Sequence, residues 1–111
     1  ASVHAAFGVN GVLCVNVLEP GHETLSTLFG GKTPMDERFA SAAWDRLLTG
    51  APVLDDAATA FDCRISQVTT VGSHDVLFCT VVALRSRASC AALMYFGRQY
   101  HGLTLAHPSA M

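Results

Sequence analysis

A small, mainly β domain of antiparallel strands with one or two short helices is the fold this sequence predicts, on three observations. β-Rich apolar runs recur at 11–18, 61–65, 76–84 and 92–96, each bounded by turn-forming residues. Two of these runs flank a short Gly-Ser turn, which argues for a hairpin. Only one stretch, residues 23–29, places apolar side chains clearly at helical spacing. With 111 residues there is room for one domain.

Taken in order, GVLCVNVL (11–18) reads as a strand closed by Pro20-Gly21. Leu25, Leu28 and Phe29 then lie on one side of a short amphipathic helix, with Pro20 near its start and Gly30 at its end. Residues 31–52, rich in Gly, Pro, Asp and Thr, read as mostly irregular, with a helical turn allowed over 36–43. At Phe61, Cys63 and Ile65 apolar residues alternate with Asp62, Arg64 and Ser66, which predicts a half-buried strand with Asp62 on its wet face. Residues 71–75 make a turn, 76–84 the returning strand, 85–89 a polar break and 92–96 a further short strand. Several antiparallel strands and so little helix fit a β-barrel.

Composition narrows the function. Half the residues are hydrophobic and 14% are charged, against roughly 25% charged in ordinary soluble domains. So few charges leave apolar surface that a second subunit would cover, and a two-fold homodimer is expected. The net charge is −2 and the seven Lys and Arg are scattered, so no basic face invites nucleic acid. The longest strongly apolar run, 76–84, is too short to span a bilayer. No secretory leader is visible, and a cytoplasmic location is expected. Cys14, Cys63, Cys79 and Cys90 form no CxxC pair, which argues against a structural metal and for inert reduced thiols. Gly30-Gly31-Lys32-Thr33 has the ending of a phosphate loop, but Ser26 stands where the first glycine is required. The segment also follows a helix, whose C-terminal end repels anions.

Three blocks, FGGKTPMDERF (29–39), FDCRISQV (61–68) and VGSHDVLFC (71–79), resemble the short-chain flavin reductases in order and spacing, and are nearest to those that serve pyrimidine degradation. The resemblance runs over residues 2 to about 103. It implies an antiparallel split β-barrel of the FMN-binding type, with 1–111 as a single domain. It further implies that the opening strands and a flavin-contacting segment of the family's domain precede Ala1, so that the chain is N-terminally truncated. The implied activity is reduction of FMN by NADH, or by NADPH, with hydride passing to the flavin N5. Reduced FMN would then serve a separate monooxygenase that opens the uracil ring. Two other functions stay open: a non-catalytic flavin-binding module, since the fold alone does not establish turnover, and an inactive structural fragment.

The resemblance also nominates residues. His74, within Gly72-Ser73-His74-Asp75, matches the family's glycine–histidine hairpin motif and is the candidate catalytic residue, placing the nicotinamide or flavin edge by a hydrogen bond. Arg38 and Lys32 are candidates for the FMN phosphate, set against plain roles as loop and solvated side chains. Phe39, after Arg38, is a candidate contact to the flavin ring or a loop anchor; Trp44 is read as structural. Arg98 and Tyr100, from the closing Arg-x-Tyr, either bind the dinucleotide or close the barrel. Ser2 aligns with a phosphate-contacting serine. His22, His101 and His107 have no such context.

Overall fold

The computed structural model describes residues 11–87 and 91–104. In chain order they form β1 (Val12–Val17), a 3-10 turn (Pro20–His22), α1 (Glu23–Phe29), α2 (Met35–Ala40), β2 (Trp44–Asp45), β3 (Val53–Leu54), β4 (Thr59–Val71), β5 (His74–Ser86), β6 (Ala92–Phe96) and β7 (Gln99–Leu103). All pairings are antiparallel: a three-stranded sheet in the order β1-β4-β5, and the two-stranded ladders β2-β3 and β6-β7. The expected mainly β class with short helices is what forms. The described strands remain three separate sheets and do not close on one another.

The dominant element is the β4–β5 hairpin, thirteen residues a side, turned by Gly72-Ser73 between the paired Val71 and His74. Gly72 has φ +59°, the left-handed conformation that a two-residue hairpin turn asks of its first residue and that glycine adopts without penalty. The hairpin is longer than the alternation suggests because two bulges interrupt it, between Asp62 and Cys63 and between Ile65 and Gln67. At the second, Ser66 is the extra residue, and its hydroxyl donates to the Phe78 carbonyl at 2.9 Å. β1 pairs with β4 only as far as Arg64, so among the described residues the distal half of the hairpin runs on as a two-stranded ribbon.

The core lies where β3, the 55–58 turn and the base of β4 meet: Ala51, Val53, Leu54, Ala57, Ala58, Ala60 and Cys63 are buried. Asp62 is buried among them with no exposed surface, which corrects its expected place on a wet face. The loop before β3 folds over that side of β4 and turns three donors onto the carboxylate. Leu48 and Thr49 N–H reach Oδ2 at 2.8 Å each, and the Thr49 hydroxyl reaches Oδ1 at 2.5 Å. Burial raises the Asp62 pKa, but the bonds from Thr49 and Leu48, with Arg64 nearby, outweigh it and hold the carboxyl below its usual range. Asn16 on β1 ties the same loop from the other side, accepting from Leu54 N–H at 2.9 Å and donating to the Pro52 carbonyl at 3.2 Å.

α1 has the bounds that its spacing predicts, and α2 occupies part of the allowed 36–43 turn, starting one residue earlier after Pro34. Asp36 and Glu37 in its first turn and Arg38 in its last suit the helix dipole. In the β2–β3 ladder, which joins Trp44 to Leu54 and Asp45 to Val53, β2 lies within the stretch read mostly as irregular and β3 directly follows it. β6 and β7 form a second hairpin that packs on the 3-10 turn. A Cβ on Gly102 would come within 3.2 Å of the Pro20 ring. Its turn, Gly97-Arg98, has φ +62° at both residues, a type I′ geometry. No helix among the described residues is long and apolar enough to cross a membrane.

Candidate functional site

Arg38 organises the segment between the two helices. Its Nε donates to the Thr33 carbonyl at 2.5 Å, Nη1 to Phe29 at 3.2 Å and Nη2 to Gly31 at 2.7 Å. The guanidinium thus satisfies carbonyls at and just beyond the end of α1. Among the described residues, two of its five N–H donors remain beyond these three bonds. Lys32 lies exposed on the loop that wraps this side chain. Phe39 is half-buried in an aromatic triad, edge-on to Phe29 at 5.3 Å and 5.0 Å from Trp44, whose own ring is 5.8 Å from Phe29. Trp44 Nε1 donates to the Phe39 carbonyl at 2.8 Å, so the indole anchors the end of α2.

Tyr100 reaches α1 from β7. Its hydroxyl donates to Ser26 Oγ at 3.2 Å and lies 3.1 Å from Thr27 Oγ1. The Ser26 bond first, then Thr27, lowers the phenol pKa, against smaller upward effects of burial and of Glu23. The Tyr95 ring meets Tyr100 edge-on at 5.0 Å. Tyr100, Glu23, Thr24, Thr27, Leu28 and Thr33 line a cleft of about 460 Å³. Arg98 is exposed in the turn two residues before Tyr100.

His74 sits elsewhere, at the tip of the long hairpin. It is the first residue of β5 and exposed, with Nδ1 3.1 Å from the Ser73 hydroxyl. Beside it, Thr70 donates to Asp75 Oδ1 at 2.6 Å. Lys32, Arg38 and Phe39 therefore share one loop, Tyr100 joins the preceding helix from β7, and His74 occupies a separate tip. Ser2 lies outside the described residues, as do His4, His107 and Cys90.

A second cleft, about 470 Å³, opens on another side of α1 and is lined by Leu25, Leu28, Ala42, Asp55, Asp56 and His22, among others. The sequence offered no signal for His22: its partners Glu19 and Asp56 are joined to it only by the fold. Neither cleft takes Arg38, Phe39 or His74 into its lining. Burial, with Asp62 and Cys63 next in effect, pushes the Cys14 thiol up to about 11; burial likewise raises Cys63, while Cys79 is exposed. The first two therefore stay protonated and unreactive at neutral pH. No group of three or more metal-binding side chains is assembled among the described residues.

The sequence pattern of the flavin reductase like domain matches residues 1–104. The chain is 60% identical over 101 residues to the FMN reductase (NADH) RutF of Variovorax paradoxus (strain S110), covering 91% of this chain and 56% of that protein. It thus spans little more than half the length of this relative. Among solved structures, a putative flavin reductase from Haemophilus somnus 129PT superposes with a TM-score of 0.90 at 39% identity, over 93% of this chain and 66% of that one. Nitrilotriacetate monooxygenase component B from Mycobacterium thermoresistibile superposes with a TM-score of 0.82 at 27% identity, over 90% and 56%.

Proposed function

The chain belongs to the flavin reductase like domain family, and from that premise we propose that its protein is an NADH-dependent FMN reductase. The observation that carries this reading is the 60% identity to an FMN reductase (NADH) over 91% of the chain. Reduced FMN passes to a separate monooxygenase, a role supported by the likeness to component B of nitrilotriacetate monooxygenase. Pyrimidine degradation is the pathway we assign, with a homodimer working in the cytoplasm and NADH as the preferred donor over NADPH.

FMN, when bound, supplies the hydride acceptor. The chain's own residues bind and orient. The two remaining donors of Arg38, with Lys32 on the same loop, suit an anionic phosphate. Phe39, held edge-on by Phe29, suits contact with a planar ring. Because Ser73 engages Nδ1 of His74, Nε2 is the atom left to hydrogen-bond and place the nicotinamide or flavin edge. Arg98 and Tyr100 are assigned to the dinucleotide and Ser2 to the phosphate. Among the described residues Lys32, Arg38, Phe39 and Tyr100 lie about α1 and the loop after it while His74 stands at the hairpin tip, so their roles are those of separate binding contacts.

Anaerobic NADH oxidation with added FMN tests the proposal on this 111-residue chain. Bleaching of FMN in step with NADH loss is expected, and His74→Ala should slow it about 10²-fold, as losing one positioning contact does, with FMN affinity changed much less. FMN binding without NADH loss would instead make the chain a flavin-binding module. Wild-type rates in His74→Ala would remove that residue from the mechanism.

A further inference from the structure

Four residues close a ring, through side-chain and backbone atoms, around the turn that joins β1 to α1. The Glu19 carboxylate pairs with Arg87 at 3.0 Å, and Arg87 donates to the Asp56 carbonyl at 3.3 Å. Asp56 Oδ2 lies 3.1 Å from His22 Nε2, and His22 Nδ1 accepts the Glu19 backbone N–H at 2.9 Å. The His22 side chain is 13% exposed. This geometry fixes its tautomer: with Nδ1 accepting, the proton is on Nε2 and points at Asp56.

A second proton can enter only at Nδ1, where it would face the Glu19 N–H, donor against donor. The bond to Asp56 survives that step and gains charge; the bond to Glu19 does not. We infer that His22 is a proton-operated latch, in which protonation keeps the ring on Asp56 but releases the Glu19 N–H beside the 470 Å³ cleft, while the His22 N–H still donates to the Glu19 carbonyl at 2.9 Å and keeps the Pro20–His22 turn closed. The Asp56 carboxyl is held below its usual range chiefly by its bond to His22, so it stays ionised as the latch works.

Among the described residues the charged groups around His22 are few. Glu19 and Glu23 flank it in the chain, Asp55 and Asp56 face it from the turn before β4, and Arg87 closes the ring from beyond β5. β6 and β7 also pack on the turn. Their titratable groups are engaged elsewhere: Tyr100 on α1, Tyr95 on Tyr100, His101 on the Phe96 carbonyl, and Arg98 stands in the hairpin turn. The latch does not rest on flavin chemistry, and its test needs none.

Amide hydrogen exchange by NMR on the 111-residue chain reads the latch directly, with the His22 ring C–H shift reporting its charge. Between about pH 8 and pH 5, where histidines titrate, Glu19 exchange corrected for its intrinsic rate should rise about tenfold, the effect of losing one hydrogen bond. The rise should follow the His22 ring titration. His22→Gln carries an acceptor and a donor without a titrating proton and should flatten the response. Glu19 protection that stays constant while His22 titrates, or an unchanged pH response in His22→Gln, overturns the inference. Should that variant not fold, Asp56→Asn decides. Removing the carboxylate changes the charge beside the ring, so the ring and Glu19 responses should shift together; a Glu19 midpoint that does not follow the ring's overturns the latch.

Discussion

With no exposed surface and three donors on its carboxylate, Asp62 works as an internal anchor for the 45–52 loop. Replacing it with Asn turns one acceptor into a donor that faces N–H or O–H groups. We expect a loss of about 2–3 kcal/mol, the scale of a hydrogen-bonded buried charge, in denaturant unfolding at neutral pH. The pH dependence has a definite sign. The folded-state pKa lies below the ordinary 3.8, so the contribution is complete above that value and is lost as pH falls through the lower folded value. Wild-type stability should therefore drop below about pH 4, and Asp62→Asn should show less of that drop. Arg38 poses a different question, because the candidate phosphate ligand already holds three backbone carbonyls. Arg38→Ala should lower stability by about 1–3 kcal/mol without any ligand, since hydrogen bonds to a charged group are lost, and should weaken FMN binding as well. Unchanged melting of the apo protein would contradict the structural role; unchanged FMN affinity would contradict the binding role.

At the scale of elements, the β6–β7 turn breaks a local rule. Type I′ turns favour Asn-Gly or Gly-Gly because both central residues need positive φ, yet Arg98 holds the second position at +62°. Left-handed geometry costs a non-glycine residue roughly 1 kcal/mol, so Arg98→Gly should stabilise the hairpin by about that much. If the arginine serves the dinucleotide, the same variant should raise the KM for NADH. A gain in stability with an unchanged KM would leave the side chain without that role. The turn also shows why β7 could not be read from the residue pattern as a strand of its own: Gly97-Arg98 is a weak turn signal, and QYHGL, mostly exposed, has no alternation to read. β2 and β3 escaped because two residues carry no period. β4 was legible only over residues 61–65, since the Ser66 bulge resets which face each side chain meets. By contrast α1 and β6 lie where their patterns place them. The candidate site divides in the same way. Arg38, Phe39 and His74 were visible through motifs, while the carbonyls that hold Arg38 and the His22–Asp56 pair depend on chain segments that meet only in three dimensions.

For the whole molecule the question is what covers the apolar surface. The distal part of the β4–β5 hairpin exposes Val68, Val71, Val76 and Phe78, by 41% to 61%. A two-stranded ribbon in water is marginal by itself, yet among the described residues this one extends past the end of β1 with no third strand beside it. Polar residues do not offset the exposure, with 14% of the chain charged. Covering such side chains contributes about 25 cal/mol per Å² of apolar area removed from water, and a two-fold partner offers the same surface in return. Phe78, the one large aromatic of the four, is where the proposed homodimer should be most sensitive, because aromatic anchors dominate interface energies. Sedimentation equilibrium of the 111-residue chain should then show a dimer. Phe78→Ser should weaken its association at least about tenfold, corresponding to roughly 1.4 kcal/mol, without shifting the far-ultraviolet circular dichroism. A chain that sediments as a monomer, or a variant that associates as tightly as the parent, would place the dimer contact elsewhere or remove it. The low charge would then have to be answered by a different covering surface.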